Sequence, residues 1–457
     1  MRKALLGVVI AVCVMNLAGP VSVRGQGSRW YLVEDIGTFG SSYTEGIAIN
    51  DNGDIAGYAQ MPSGDFQAFR YTDAHGLEDL GGSSLAFYSQ AFGINSGGDV
   101  VGLFMDSNFL EHGFIAPAGS TMQDLLFSST PPIRLVTSIT DDGRLAGAVY
   151  TAQGGNHAFR TLLSGELQVL GTDGFNSRAW RMNAAGQVTG DHAPVTYPTS
   201  GRSTAFRYSD AAGWVDLGTF GGNTSFGLGI NGSNVIVGCA ALADGLAHAF
   251  RAREGMPLED LGTLGGYQSC AEGINDGGEI VGWADLPNAQ GHAIVYTDSE
   301  GMIDLNDAVP ADLGLRLVFA RAINTRGQIV AISGTLAGIR TYRLTPAERP
   351  LAITGVSPTP ATLWPPDGRI VPVTVNVTTD RAAECRVTQV LVLESGAPVP
   401  LGENDVVQTG DLTVSVRARR LGSAARTYQG IVRCLDTSGS STTATFEVTV
   451  PHDQRSN

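Results

Sequence analysis

The side chains best suited to chemistry cluster in one segment, between residues 180 and 197. Trp180 and Arg181 precede a short β-type run, Asp191 and His192 follow it directly, and Tyr197 comes a few residues later. A guanidinium, aromatic rings and an acid can together bind a polar ligand such as a sugar or a peptide. Alternatively, Asp191 and His192 could act as acid and base near Arg181 in a polysaccharide hydrolase or lyase.

Two further aromatic residues are candidates for the same surface. Tyr58 and Trp283 each directly follow the glycine of a β-type run, Gly57 and Gly282. We therefore predict that both rings lie on the face that carries the segment after Asp191.

Histidines at one repeated sequence position could form a ring of metal ligands: His112, His157, His248 and His292. Copies of a repeat position stand far apart around a ring, so we expect each to hydrogen-bond within its own repeat. The same reasoning applies to the aspartates that recur in the fourth run, Asp35, Asp79, Asp216, Asp260 and Asp304. We predict no metal and no cofactor.

Acidic residues also collect in the hairpin turns, at Asp51, Asp54, Asp141, Asp142, Asp276 and Glu279. Calcium is one partner that such carboxylates attract, but no copy has the alternating aspartate spacing of a calcium loop. We expect these side chains to cap their turns instead.

All of these residues belong to one phrase that recurs seven times. The residue that ends its first run returns at steps of 43 to 49 residues, at Asn50, Asn95, Thr140, Asn183, Asn231, Asn275 and Asn324. A complete copy holds four β-type runs. Examples of the first to the fourth run, taken from different copies, are residues 226–231, 280–282, 248–250 and 215–218. A period in the forties built from short β-type runs predicts propeller blades of four strands.

The fourth copy departs from the others. Five copies place 12 positions between the glycine of the second run and the third run, whereas 16 separate Gly190 from Phe206. Arg181 also stands where the six other copies have small residues: Ala48, Gly93, Ser138, Gly229, Gly273 and Ala322. These departures are why the fourth copy supplies the candidate ligand-binding residues.

The two ends of the repeat region complement each other. The seventh copy lacks its fourth run, and residues 33–37 provide one to spare. Pairing the two would complete a blade and bury both edges. We predict an all-β chain whose residues 30–346 form a seven-bladed β-propeller, closed by the N-terminal strand.

The repeated phrase resembles the HAF-repeat family, putative extracellular bacterial repeats. Residues 260–266, 273–276, 280–282 and 248–250 carry the resemblance, which covers about 310 residues. The resemblance implies export and an extracellular or surface setting, but no reaction and no catalytic residues.

A proline-rich stretch, residues 345–366, precedes a second predicted domain, residues 347–457. Short alternating strands over about 100 residues predict an Ig-like β-sandwich. Residues 434–439, 364–366 and 450–453 are similar to hyalin-repeat and bacterial Ig-like modules. Tyr428 lies six residues before Cys434 rather than two, which departs from antibody-type domains.

Four cysteines follow the predicted leader, and their positions favour the pairs Cys239 with Cys270 and Cys385 with Cys434. No pair has zinc-ligand spacing. The leader itself, residues 1–26, reads as a secretory signal with a short apolar run after Arg2 and Lys3.

The chain has a formal net charge of −15. Such a field repels phosphate backbones and anionic lipid, so we predict no nucleic-acid partner and no membrane insertion. We predict a secreted, monomeric, non-enzymatic binding or adhesion protein whose loop face takes a glycan or a protein. The alternatives are the hydrolase or lyase described above and a purely structural cell-surface element.

Overall fold

The computed structural model describes residues 29–81, 88–125, 131–151, 155–170, 175–194, 202–335, 338–402, 404–419 and 425–451. The predicted leader and Tyr197 lie outside these residues. The chain divides into two compact units after Ala347. Within the described ranges the structure is all-β, as predicted, apart from two single 3-10 turns, Leu305–Asp307 and Ala311–Leu313. No helix in the described part is long and apolar enough to cross a membrane.

The first unit contains antiparallel sheets of four strands each. After β1 (Trp30–Asp35), sheet 1 consists of β2 (Thr44–Ile49), β3 (Ile55–Gln60), β4 (Phe66–Thr72) and β5 (Gly76–Asp79). Sheet 2 consists of β6 (Tyr88–Ile94), β7 (Val100–Met105), β8 (Glu111–Ala116) and β9 (Gln123–Asp124). Sheet 3 consists of β10 (Ile133–Ile139), β11 (Leu145–Tyr150), β12 (Asn156–Thr161) and β13 (Leu167–Val169). Sheet 4 consists of β14 (Phe175–Met182), β15 (Val188–Pro194), β16 (Thr204–Ser209) and β17 (Gly213–Gly218).

The remaining strands follow the same order. Sheet 5 consists of β18 (Gly221–Ile230), β19 (Ile236–Leu242), β20 (Ala247–Ala252) and β21 (Glu259–Asp260). Sheet 6 consists of β22 (Ser269–Ile274), β23 (Ile280–Asp285), β24 (Gly291–Thr297) and β25 (Gly301–Asp304). Sheet 7 combines β26 (Leu317–Ile323), β27 (Ile329–Thr335) and β28 (Gly338–Ala347) with β1 from the other end of the unit. A single parallel pair, Phe66 with Tyr88, also joins sheet 1 to sheet 2.

The N-terminal strand is the outermost strand of sheet 7. β1 pairs antiparallel with β28 from Trp30 opposite Ala347 to Asp35 opposite Tyr342. The half-repeat offset in the sequence predicts this pairing, and it covers an edge that each strand would otherwise expose.

Hairpin asparagines link each sheet to the next by hydrogen bonds from side-chain amide to backbone carbonyl. The Nδ2 atoms of Asn50, Asn95, Asn183, Asn231, Asn275 and Asn324 donate, in that order, to the carbonyls of Asn95, Thr140, Asn231, Asn275, Asn324 and Asn50 at 2.9–3.5 Å. The last of these bonds returns to sheet 1. Thr140 has no amide, and there Arg144 bridges sheets 3 and 4 by donating to Ala184 O at 2.6 Å.

The same asparagines also close their own turns. Asn275 Oδ1 accepts from Glu279 N at 3.0 Å, and Asn50 Oδ1 accepts from Asp54 N at 2.9 Å. Turn carboxylates cap the neighbouring turn as well, since Thr325 N donates to Asp51 and Gly232 N to Asp276. The capping predicted for these carboxylates is therefore confirmed, and it extends between sheets.

Buried arginines and serines add further links between several of the sheets. Arg70 Nη1 donates to Gly98 O, and Arg343 Nη1 donates to Gly53 O, both at 3.0 Å and both reaching the hairpin of the next sheet. The third strand of a sheet is held to the following sheet by backbone amides that donate to serine Oγ atoms. These pairs are Ala68 with Ser89, Ala158 with Ser177, Ala205 with Ser225, and Ala249 with Ser269.

Sheets 1 to 6 each bury one large apolar side chain from the third strand: Phe69, Phe114, Phe159, Phe206, Phe250 and, in sheet 6, Ile294. A glycine of the second strand lies opposite each of them. A Cβ at one of these, Gly102, would lie 2.0 Å from Gln90 O and 2.6 Å from the Phe114 ring. The second run thus requires glycine at this position, because the first strand and the aromatic ring both approach it closely.

The second unit contains two four-stranded sheets. Sheet 8 has the order β29 (Ile353–Thr359), β30 (Ile370–Thr379), β34 (Thr413–Arg417) and β33 (Val406–Gly410). Sheet 9 has the order β32 (Ala397–Val399), β31 (Ala383–Glu394), β35 (Arg426–Asp436) and β36 (Ser441–Val450). Valines from both sheets, among them Val375, Val416, Val432 and Val448, form one buried cluster, so the two sheets enclose a common core.

Both predicted disulfides are present. Cys239 and Cys270 join sheets 5 and 6 across 31 residues, a loop whose closure stabilises by about 3–4 kcal/mol in the chain-entropy model. Cys385 and Cys434 lie directly opposite each other on β31 and β35. The second bridge therefore connects neighbouring strands of one sheet, unlike the bridge between sheets of antibody domains.

We expect Asn275→Ala to lower the free energy of unfolding by about 2–4 kcal/mol. The change removes the bond from Asn275 Nδ2 to Asn324 O and leaves Glu279 N without the acceptor that Asn275 Oδ1 provides. Urea unfolding of the full chain measures the loss. Asn288→Ala, at an exposed turn asparagine bonded only to Gln290 N, is the matched control and should change it by under about 0.5 kcal/mol. Equal effects of the two changes would contradict the role of the hairpin asparagines in linking each sheet to the next.

Conversely, Thr140→Asn should raise the free energy of unfolding by about 0.5–1.5 kcal/mol, because it supplies the one missing amide toward Asn183 O. Asn231 is the precedent, since it bonds Asn275 O although Val235 offers no side-chain acceptor in its own turn. The same urea titration measures the gain. A destabilised Thr140→Asn variant would show that Arg144 already fulfils this linkage.

Candidate functional site

The first strands of all seven sheets line one cavity of about 190 Å³. They are β2, β6, β10, β14, β18, β22 and β26, and each contributes the residues that directly precede its hairpin asparagine or Thr140. A cavity that seven separate sheets share needs the linkages described above, because no single sheet encloses it.

Every one of these first strands carries a β-bulge at the same repeat position. The register shifts by one residue three positions before the hairpin residue, at Ile47, Phe92, Thr137, Trp180, Leu228, Glu272 and Arg321. We call these seven residues the bulge ring. A bulge re-aims a side chain that regular alternation would direct elsewhere.

The cavity has three tiers as a result. Its floor is the apolar ring Ile49, Ile94, Ile139, Met182, Ile230, Ile274 and Ile323. Above the floor lie the small residues and Arg181, and then the bulge residues Phe92, Thr137, Glu272 and Arg321. Regular alternation would place the isoleucines and the small residues on opposite faces of the strand. Both nevertheless contribute to the lining of the cavity.

Of the bulge ring only Trp180 was among the predicted site residues, although the sequence contains a signal for all seven positions. The ring holds seven different residue types in seven copies: Ile, Phe, Thr, Trp, Leu, Glu and Arg. A position that builds the same sheet seven times repeats its residue type. A position that differs in every copy and faces a shared cavity is where specificity can reside.

A charged network occupies the upper tier. Arg321 Nη2 donates to Glu45 Oε1 at 2.6 Å, and its Nη1 lies 3.3 Å from Glu272 Oε1. Tyr43 and Tyr58 each donate a hydroxyl to Glu45 Oε2 at 2.6 Å. Glu45 is buried, so these three donors compensate its charge. Predicted site residue Tyr58 is therefore part of this network.

The network shifts the pKa values of its members. Burial alone would raise the pKa of Glu45, but Arg321 and the hydroxyls of Tyr43 and Tyr58 outweigh it and hold that pKa below its usual range. Burial and the Glu45 carboxylate raise the pKa of Tyr58 and of Tyr43. Glu45 is thus a carboxylate at neutral pH, and both tyrosines are hydroxyl donors.

Aromatic rings surround this network. The Arg321 guanidinium lies 4.7 Å from the ring centroid of Phe319, which meets Trp283 edge to face at 6.2 Å. Tyr43 meets Phe66 edge to face at 5.0 Å. Trp283, predicted from its place after a glycine, therefore lies beside the charged tier of the cavity through Phe319.

The predicted acid and base of the fourth copy do not come together. Asp191 accepts hydrogen bonds from Trp180 Nε1 at 2.6 Å and from Ser203 Oγ at 2.9 Å. His192 follows Asp191 along β15, so its side chain points to the other face of the sheet. Arg181 Nη1 donates to two backbone carbonyls instead, of Thr137 at 3.1 Å and Trp180 at 3.0 Å.

His192 takes the place of the third-run histidine that sheet 4 lacks. Its Nε2 lies 2.8 Å from Asp216 Oδ1 without hydrogen-bond alignment, and its ring packs edge to face on Trp214. Thr204, opposite His192, occupies the position where other copies have a histidine. His192 therefore pairs with the aspartate that this histidine would bind, which is a structural role.

Histidines of the third run bind aspartates of their own sheet, as predicted. His112, His248 and His292 contact Asp124, Asp260 and Asp304 at 2.7–3.0 Å. His157 is the exception, since Val169 stands where the aspartate would be and its Nδ1 has no partner among the described residues. No group of three or more candidate metal ligands converges in the described part of the chain.

Comparison with protein-family models finds no match, and comparison with curated proteins finds none either. The resemblance to HAF repeats and to hyalin-type modules therefore stays a prediction.

Solved structures with related folds share little sequence with the chain. TolB from Acinetobacter baumannii is 11% identical, with a TM-score of 0.36 over 65% of this chain and 64% of that one. A gluconolactonase from Xanthomonas campestris is 10% identical, with a TM-score of 0.35 over 71% and 99%. The lectin of Aleuria aurantia, a six-bladed β-propeller, is 8% identical, with a TM-score of 0.33 over 60% and 94%. Likenesses this weak assign neither substrate nor ligand to this chain.

We expect the stability that Glu45 contributes to depend on pH. Its folded pKa is lowered, so the contribution is complete above the unfolded value near 4.3 and is lost as pH falls through the folded value. Glu45→Gln should cost about 1–3 kcal/mol at pH 7 and less at pH 3, measured by urea unfolding. Glu166→Gln, at an exposed turn, is the control. A deficit that is the same at both pH values would contradict this role.

Proposed function

We infer that the first unit is a seven-bladed β-propeller. Seven four-stranded sheets follow one another, their hairpin asparagines bond in an order that returns to the first sheet, and all seven first strands line one cavity. The pairing of β1 with β28 supports closure of the ring through sheet 7. The second unit, with two sheets around one core, fits an Ig-like β-sandwich that carries or spaces the propeller.

We propose that this propeller is a non-enzymatic binding module, and that its ligand is a glycan that enters the upper tier of the cavity. The bulge ring carries this proposal, because it places a different residue type in each copy of a framework that is otherwise repetitive, and four of its members line the cavity. Sugars offer hydroxyls to charged and polar groups and apolar C–H faces to aromatic rings. Glu272, Arg321 and Phe92 offer these partners around the cavity.

Binding rather than catalysis is favoured by how the charged groups are held. Glu45 accepts hydrogen bonds from three donors, and Asp191 from two, so neither is placed as a free acid or base. Secretion accords with the two disulfides and with the predicted leader, since such bridges persist in oxidising compartments.

We expect the full chain to bind a subset of glycans on an array, and Phe92→Ala and Glu272→Gln each to weaken binding at least about tenfold. The first change removes an apolar wall and the second a charged acceptor, and tenfold corresponds to about 1.4 kcal/mol. Detection should use a C-terminal tag, because Lys3 is the only lysine available for amine labelling. Affinities for array hits can then be measured by titration calorimetry.

Glu166→Gln is the matched control for Glu272→Gln, because it makes the same change at an exposed turn and should bind as the unmodified chain does. The proposal fails if the unmodified chain binds no glycan, or if both cavity variants bind as tightly as the control.

A further inference from the structure

Arg181 occupies an unusual place in the cavity. The six other sheets place glycine, alanine or serine at this position, two residues before the hairpin. Arg181 thus projects a guanidinium into the narrow tier between the apolar floor and the bulge ring. Arg181 therefore adds one cationic group to the cavity on the side of sheet 4.

The hydrogen bonds of Arg181 leave most of its guanidinium unused. Both of its bonds come from Nη1 and go to backbone carbonyls, of Thr137 and Trp180. A guanidinium has five N–H donors, so Nε–H and the two Nη2–H groups remain. Among the residues that the structure describes, Arg181 has no carboxylate within 4.0 Å, which contrasts with Arg321 and its two glutamates.

The surrounding charges do not neutralise Arg181 at short range. Glu272 is the charged group that acts on it, and Glu272 is already held by Arg321. Burial lowers the pKa of Arg181, with Glu272 opposing that effect. A desolvated guanidinium with a free donor edge is a favourable site for a carboxylate, which can accept two parallel hydrogen bonds from it.

We propose that Arg181 binds the carboxylate of an acidic sugar, so that the propeller recognises uronic acids in preference to their neutral parents. This inference rests on the proposed glycan binding and names the class of glycan. The cavity of about 190 Å³ is below the roughly 300–1,000 Å³ typical of clefts for drug-sized ligands, which suits a small occupant such as one sugar residue. The carboxylate lies on Arg181, and the hydroxyls face Glu272 and Arg321.

The net charge of the whole chain opposes the approach of an acidic sugar. A formal charge of −15 repels anions at long range, so an acidic sugar gains nothing from steering. Its affinity has to come from contacts inside the cavity, where salt screens little. Removal of one guanidinium should therefore abolish the preference for acidic sugars.

Titration calorimetry of the full chain with glucuronate, galacturonate and mannuronate, each beside its neutral parent sugar, tests the proposal. We expect at least one uronate to bind at least tenfold more tightly than its parent. Arg181→Ser, which restores the residue type of sheet 3, should remove that difference, and Arg181→Lys should retain part of it, because an ammonium keeps the charge without the fork. Glu166→Gln should bind as the unmodified chain does.

The outcomes separate the two proposals. If neutral sugars bind as tightly as uronates and Arg181→Ser changes neither, glycan binding stands and the role of Arg181 is overturned. If neither these sugars nor any arrayed glycan binds the unmodified chain, both proposals fail. If Arg181→Ser lowers the thermal midpoint but leaves the preference for uronates intact, Arg181 serves only to tie sheet 4 to Thr137, and the inference is again overturned.

Discussion

The fold of the first unit depends on one hydrogen bond made six times, from a hairpin asparagine amide to the carbonyl of the next hairpin. Each four-stranded sheet is small, and its hairpin buries polar backbone groups that need partners. The asparagine satisfies its own turn with Oδ1 and its neighbour with Nδ2, so local and long-range order share one side chain. Arginines and serines of other strands also link neighbouring sheets by hydrogen bonds. Sheets joined in this way can keep their first strands apart around a cavity without filling it with bulky side chains.

The regular framework and the irregular site are consequences of the same repeat. Glycines opposite buried apolar side chains recur in sheets 1 to 6, and a small residue stands two positions before the hairpin residue in every copy but the fourth. The bulge frees one residue per first strand from the regular ladder, and four of these residues line the cavity. The chemistry of the bulge residue differs in all seven copies. The one framework position that breaks its own rule, Arg181, lies directly beside the ring and adds a cation to it.

The sequence was sufficient to predict the features that repeat. The period, the four runs per copy, the pairing of residues 33–37 with the last copy and both disulfides follow from spacing and complementarity, and the structure agrees with each of these pairings. The candidate site was harder to predict from the sequence. Tyr58 bonds to Glu45 and Trp283 packs on Phe319 beside that network, but the bulge residues other than Trp180 were missed because alternation along a strand was assumed to be regular. His192 was misjudged as a possible base, since its link to Asp216 depends on strand register. Glu45 was missed because its partner Arg321 lies 276 residues away.

The pairing of Trp30 with Ala347 fixes where the first unit is held. Whatever precedes Trp30 and whatever follows Ala347 depart from neighbouring points on the outermost pair of strands of sheet 7. Those points are on the hairpin side of the sheet, since Leu344 lies opposite Ile329 just after the last turn. Glu45, the buried carboxylate of the charged network, lies near the opposite end of its own first strand, which begins at Thr44.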